Sequence, residues 1–188
     1  MSSVQNKQNS FTRKFSKGVV NNVNTRENLS NNEIPEEEIV KQYKKIELFR
    51  QRAGLPPYAI DSGDTVANIV VEERNYFGVN STITKESKIA SRELRQKWLK
   101  KIKWVPPKKK IPQHLGQAQS LTHAEAHALI RAYERQGSLP ETVIMYVDRK
   151  TCNICRGELP ALLKEVGVKE LKIFSGGSRK PITIKAVE

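Results

Sequence analysis

Residues 120–137 read SLTHAEAHALIRAYERQG and residues 150–174 read KTCNICRGELPALLKEVGVKELKIF. The first run is helical from Thr122 to Gln136, with Gly137 as its stop. The second opens a helix at Cys152, kinked at Pro160 and ended by Gly167, and closes on a strand over 170–174. Between them, 143–148 reads as a strand. Upstream, 65–72 (TVANIVVE) predicts a strand, and residues around 77–84 a weaker one, joined by a turn near Asn75. Residues 87–102 are helical, followed by a loop rich in Pro, Lys and Gln up to Ser120. A last strand falls at 182–186. The connection over 175–181 (SGGSRKP) is shorter than the dozen or more residues a parallel crossover takes, so the last two strands pair antiparallel. The order predicts an α/β protein, an α/β/α sandwich around a mixed five-stranded sheet.

Both runs carry chemistry at a helix start. His123-Ala124-Glu125 opens one helix, and Cys152-Asn153-Ile154-Cys155 holds both cysteines of the chain. One His and two Cys are three zinc ligands, and a catalytic zinc keeps its fourth position for water, leaving Glu125 free to move protons. His123 and Glu125 lie about 200° apart on an ideal helix, so they share a target only at the first turn, off the helix end. The positive end of a helix also favours the thiolates of Cys152 and Cys155 that a metal requires. Three other readings stand beside this one. Thr122 and Glu125 form a capping box. His127, one turn after His123, completes a closed structural Cys2His2 site with the cysteines. The C-x-x-C is also a redox spacing. In the open-site reading, His127 packs behind the metal ligands.

With 188 residues and 37% apolar content, the chain has room for one domain and an appendage, and no apolar run reaches the ~20 residues of a membrane span. Two cysteines make no disulfide framework, and the polar, basic N-terminus has no Sec-type apolar core. Residues 1–33, rich in Asn, Ser and Lys, predict a flexible tail. Residues 34–53 predict an amphipathic helix ahead of the domain, started by Pro35, with Glu36, Glu37 and Glu38 at its positive end and Ile39, Val40, Tyr43, Ile46 and Phe49 on one face. The domain is expected over 54–188. The formal net charge of +13 is uneven: between Arg95 and Lys110 stand eight Lys or Arg and no acid, interleaved with Trp98 and Trp104. That stretch suits a nucleic-acid surface, and it argues against a substrate as small as a free nucleotide. Leu94, Trp98 and Ile102 recur every four residues, which makes Trp98 a core residue with a solvated basic face around it. Trp104 is open between core and base stacking, while Lys108, Lys109 and Lys110 after Pro106-Pro107 are placed to touch phosphate. Asn68, polar inside an apolar strand, either lines the pocket or is a satisfied strand residue. Arg179, at the final turn, either meets phosphate or is solvated.

The two runs, with the entry GLPPYAIDSGDTVANIVVEE at 54–73, resemble the bacterial polymorphic-toxin deaminases, most closely the group with double-stranded-DNA cytosine deaminase toxins. The resemblance spans roughly residues 54–187 in three blocks. It implies the cytidine deaminase-like α/β/α sandwich, zinc held by His123, Cys152 and Cys155, and Glu125 as proton shuttle. It further implies conversion of cytosine to uracil in DNA, action as a secreted or delivered effector in the cytoplasm of a target cell, and neutralisation by a cognate immunity protein. A cationic cleft makes an acidic immunity protein the expected partner. Two features depart from the pattern: Thr151 stands where Pro commonly precedes the first Cys, and the helix and basic loop over 85–120 are long. Loops around the pocket select strandedness and sequence context in base-flipping enzymes, so substrate choice rests on that insertion.

Overall fold

The computed structural model describes residues 34–61, 63–80, 85–102, 121 and 123–188, apart from the side chains of residues 86, 87, 91 and 153–155. The tail expected over 1–33 lies outside the described residues. So do Trp104, Lys108, Lys109 and Lys110, and the side chain of Cys155. The chain divides into two compact units, Met1–Glu38 and Ile39–Glu188. The sheet lies in the second, and so does most of helix α1 (Glu36–Arg52).

After α1 the described elements run β1 (Thr65–Val71), β2 (Arg74–Asn80), α2 (Lys85–Lys101), α3 (Ala124–Gln136), β3 (Thr142–Val147), α4 (Asn153–Glu165), β4 (Glu170–Ser175) and β5 (Ile182–Lys185). The sheet order is β2-β1-β3-β4-β5, with β3 and β4 parallel and every other pair antiparallel. The mixed sheet and the antiparallel final pair are as expected. Helix α4 supplies the crossover that the parallel pair needs, and it runs unbroken through Pro160.

Alternation along the strands sorts the two faces. Ala67, Ile69, Val71, Met145, Val147, Leu171 and Ile173 join a core with Leu129 and Ile130 of α3, Leu159 and Leu162 of α4, and Trp98 of α2. Trp98 is fully buried, as its spacing predicts, and its indole N–H donates to Glu134 Oε1 at 3.2 Å, so the one polar atom of the ring is satisfied. The opposite face carries Tyr146 stacked on Phe174 at 5.3 Å, and α1 covers it with Tyr43 edge-on to Tyr146 and Phe49 stacked on Phe77 at 4.4 Å. Two polar residues interrupt the buried apolar stripe of α1. Gln42 and Arg50 are sequestered beside Ile39 and Ile46 because each meets a polar partner, Asn68 and Asp148 respectively.

Two local features differ from the sequence reading or escape it. The β1–β2 turn falls at Glu72 and Glu73 rather than near Asn75, and both residues take positive φ, 50° and 64°. Two left-handed residues match the twist of a hairpin, a role normally given to Asn-Gly, and the glutamates hide the signal. On β2, Gly78 passes directly beneath α3: a Cβ there would overlap the carbonyl oxygen of Ala124 and the amide nitrogen of Ala128, and lie 2.9 Å from His127 Cβ. Only glycine allows this approach.

Candidate active site

The site forms where four strand ends meet. β3 and β4 end side by side (Val147 opposite Ser175), β1 begins there, and β2 ends opposite it (Thr65 opposite Asn80). Helices α3 and α4 bring their N-termini to this edge. His123 is the N-cap of α3, with extended φ −84° and ψ 157°, and makes no side-chain capping hydrogen bond. Cys152 stands at the equivalent place on α4, where its carbonyl accepts from Arg156 N–H at 3.2 Å. Two residues 29 apart in sequence thus hold matching positions on two helices, and His123 Nδ1 lies 3.4 Å from Cys152 Sγ.

This separation tests the donor pair for a metal. Tetrahedral zinc with Zn–N and Zn–S bonds of roughly 2.0 and 2.3 Å separates those two atoms by about 3.5 Å. The pair fits one edge of such a site. Among the described residues no cluster of three or more His, Cys, Asp or Glu forms, and the third expected donor belongs to Cys155, in the first turn of α4.

Glu125 is 4% exposed in the first turn of α3. With His123 as N-cap, Glu125 is the second helical residue and not the third, which is not the spacing of a capping box. Burial alone depresses the His123 pKa. The hydrogen bond to Cys152 and the charges of Cys152, Glu125 and Glu158 outweigh it and raise the value. Glu158 is absent from the sequence reading. It lies buried on α4 within the stripe that continues through Leu159, Leu162 and Leu163, and an acid at such a position is the signal that could have found it.

His127 packs behind the pair. Its Nε2–H donates to the Leu121 carbonyl at 3.0 Å, and burial, aided by the charges of His123 and Arg131, pushes its pKa down to about 4 against the pull of the Leu121 and Val79 backbones. It is a neutral ring committed to the backbone. Asn68 is fully buried on the sheet face that α1 covers and donates from Nδ2 to Gln42 Oε1 at 2.9 Å, whereas α3 and α4 lie on the other face. The structure therefore does not bring Asn68 together with His123 and Cys152. Arg179 is exposed in the β4–β5 connection. Thr151, immediately before Cys152, is buried, and its Oγ1 has no hydrogen-bond partner among the described residues.

Sequence reasoning also missed the pair beside the site. Arg50 Nε contacts Asp148 Oδ2 at 2.7 Å with both side chains largely buried, and Asp148 Oδ1 accepts from Val66 N–H at 3.1 Å. Burial raises the Asp148 pKa even against Arg50, the Val66 amide and Arg149. No helix among the described residues is long and apolar enough to cross a membrane.

The family model described as MafB19-like deaminase matches residues 43–185. No curated protein and no solved structure matches the chain.

Proposed function

The chain belongs to the MafB19-like deaminase family, and on that premise we propose that it is a zinc-dependent cytosine deaminase acting on DNA, delivered as a toxin into a target cell. One observation carries the reading: the 3.4 Å approach of His123 Nδ1 to Cys152 Sγ, with the buried Glu125 carboxylate in the same helix turn. His123, Cys152 and Cys155 would hold the zinc, which supplies the Lewis acidity that makes water a nucleophile near neutral pH.

The chain's own residues do the rest. His123 would offer Nδ1 as a ligand and Cys152 its sulfur as thiolate, favoured by the positive end of α4. Glu125, shielded from bulk water, takes a proton from the attacking water and returns protons to the ring nitrogen and to the departing amine. The balance is cytosine plus water to uracil plus ammonia. The commitment of His127 to the Leu121 carbonyl favours this open site over a closed Cys2His2 scaffold. The charge of +13 supports a polyanionic substrate and an acidic immunity protein that covers Glu125.

The test is incubation of purified protein with single- and double-stranded DNA, RNA and free cytidine, read by sequencing and ammonia release, with elemental analysis of the protein. One zinc per chain and uracil in DNA are expected. Glu125→Gln should keep the metal and lose the activity. A reduced protein that binds no stoichiometric zinc, or one that deaminates RNA or free cytidine but not DNA, overturns the corresponding part of the proposal.

A further inference from the structure

Residues 55–64 join α1 to β1, so they arrive at the sheet end that carries His123 and Cys152. Two arginines hold this loop by its backbone. Arg50 donates from Nη1 to the Pro56 carbonyl at 3.0 Å and from Nη2 to that of Asp64 at 3.2 Å. Arg149 donates from Nη1 to the Ile60 carbonyl at 3.1 Å, and from Nη2 to those of Ala59 at 3.5 Å and Asp64 at 3.3 Å. Its Nε also reaches Thr65 Oγ1 at 3.2 Å. The Tyr58 ring lies under both guanidinium groups, 5.7 Å from Arg50 and 5.4 Å from Arg149. Arg50 is itself fixed by Asp148. Five arginine hydrogen bonds thus reach the carbonyls of Pro56, Ala59, Ile60 and Asp64.

What this framework presents is Ile60. At 85% exposed, it is the most solvent-open large apolar side chain among the described residues. A single exposed isoleucine needs no explanation. An isoleucine whose carbonyl is gripped by an arginine three residues before Cys152 is different: the tip and the candidate metal ligand ride on one short connection. A deaminase cannot reach the amine of a stacked, paired base, so the base must leave the stack, and apolar side chains inserted between base steps accomplish such unstacking.

From this geometry we infer that Ile60 is an apolar wedge that enters the base stack beside the target cytosine, and that Arg149 is the positioning residue that sets its place. The inference rests on the nucleic-acid deaminase reading and adds to it the step that admits a paired substrate. Rigid support matters because a wedge on a loose loop would fold back instead of prying.

The test compares Ile60→Ala, Ile60→Leu and the parent on one target strand, presented either unpaired or in a full duplex. Ile60→Ala should lower kcat/KM at least tenfold on the duplex and less than twofold on the unpaired strand, with an unchanged melting temperature. Ile60→Leu should restore duplex activity. Arg149→Lys should also lose selectively on the duplex. Independently of turnover, Glu125→Gln protein should raise the fluorescence of a duplex carrying 2-aminopurine beside the target, and Ile60→Ala added to it should abolish that rise. Equal losses on both substrates, an intact duplex rate, or a parent that acts on single strands alone would each overturn the wedge and leave the deaminase reading standing. A parent that deaminates no nucleic acid removes that reading, and the wedge with it.

Discussion

Replacing Gly78 with alanine drives a methyl group into the backbone of α3. The new carbon overlaps the Ala124 oxygen and the Ala128 nitrogen and lies 2.9 Å from His127 Cβ. Comfortable carbon contacts begin near ~3.5 Å, so α3 must retreat from β2 by roughly an ångström. Two of the three obstructions are main chain and cannot rotate away, which places the cost at the top of the ~1–3 kcal/mol range for overpacking. For a chain of this size, about 3 kcal/mol lowers the melting temperature by roughly 6–12 °C. The catalytic consequence is larger. His123 directly precedes Ala124, so the same displacement opens the 3.4 Å pair with Cys152, and a misplacement of about 1 Å costs on the order of 10²-fold in rate. Thermal denaturation, metal content and deamination rate of Gly78→Ala are measured beside Gly157→Ala, a helical glycine with nothing within 4 Å, which should gain ~0.5–1 kcal/mol. If Gly78→Ala stays within ~0.5 kcal/mol of the parent at full activity, the close approach of β2 to α3 and the argument built on it are wrong.

Three further outcomes follow from the same contacts. Arg50→Met strands the buried Asp148 carboxylate and should cost roughly 3–5 kcal/mol, part of which returns when Asp148→Asn is added; additive losses in urea unfolding would mean the two side chains do not interact. His127 titrates lower in the folded chain than in the unfolded one, so its contribution is fully present above pH ~6.5 and drains away as pH falls towards 4, by roughly 3 kcal/mol. In metal-free protein, His127→Gln should flatten the fall in unfolding free energy between pH 7 and pH 4.5, and an unaltered slope would refute the assignment. Glu72→Asn with Glu73→Gly should relieve the two left-handed glutamates and stabilise the chain by ~1 kcal/mol or more, read as a higher melting temperature, and no gain would argue against that turn.

Residues that interact along one element are legible in the sequence. Trp98 reads as core from its spacing with Leu94 and Ile102, and lies there. The six-residue link from β4 to β5 fixes their antiparallel pairing by its length. His123, Glu125 and Cys152 stand out in the sequence by residue type and spacing, and the two helix starts bring His123 and Cys152 to one edge. Asn68 marks the limit. Its sequence context says only that a polar group is buried in a strand, and which face it takes depends on Gln42, 26 residues away.

By itself, then, the sequence determined most of the elements, the residue types standing at two helix starts and the excess of positive charge, because these follow from periodicity, residue type and counting. Only the tertiary structure decided the strand order, the burial of Arg50 against Asp148, the arrival of Glu158 beside His123 and the need for glycine at position 78. Each of these joins residues distant along the chain, and the energy of such a contact comes from desolvation and packing at the meeting point, which neither segment encodes alone.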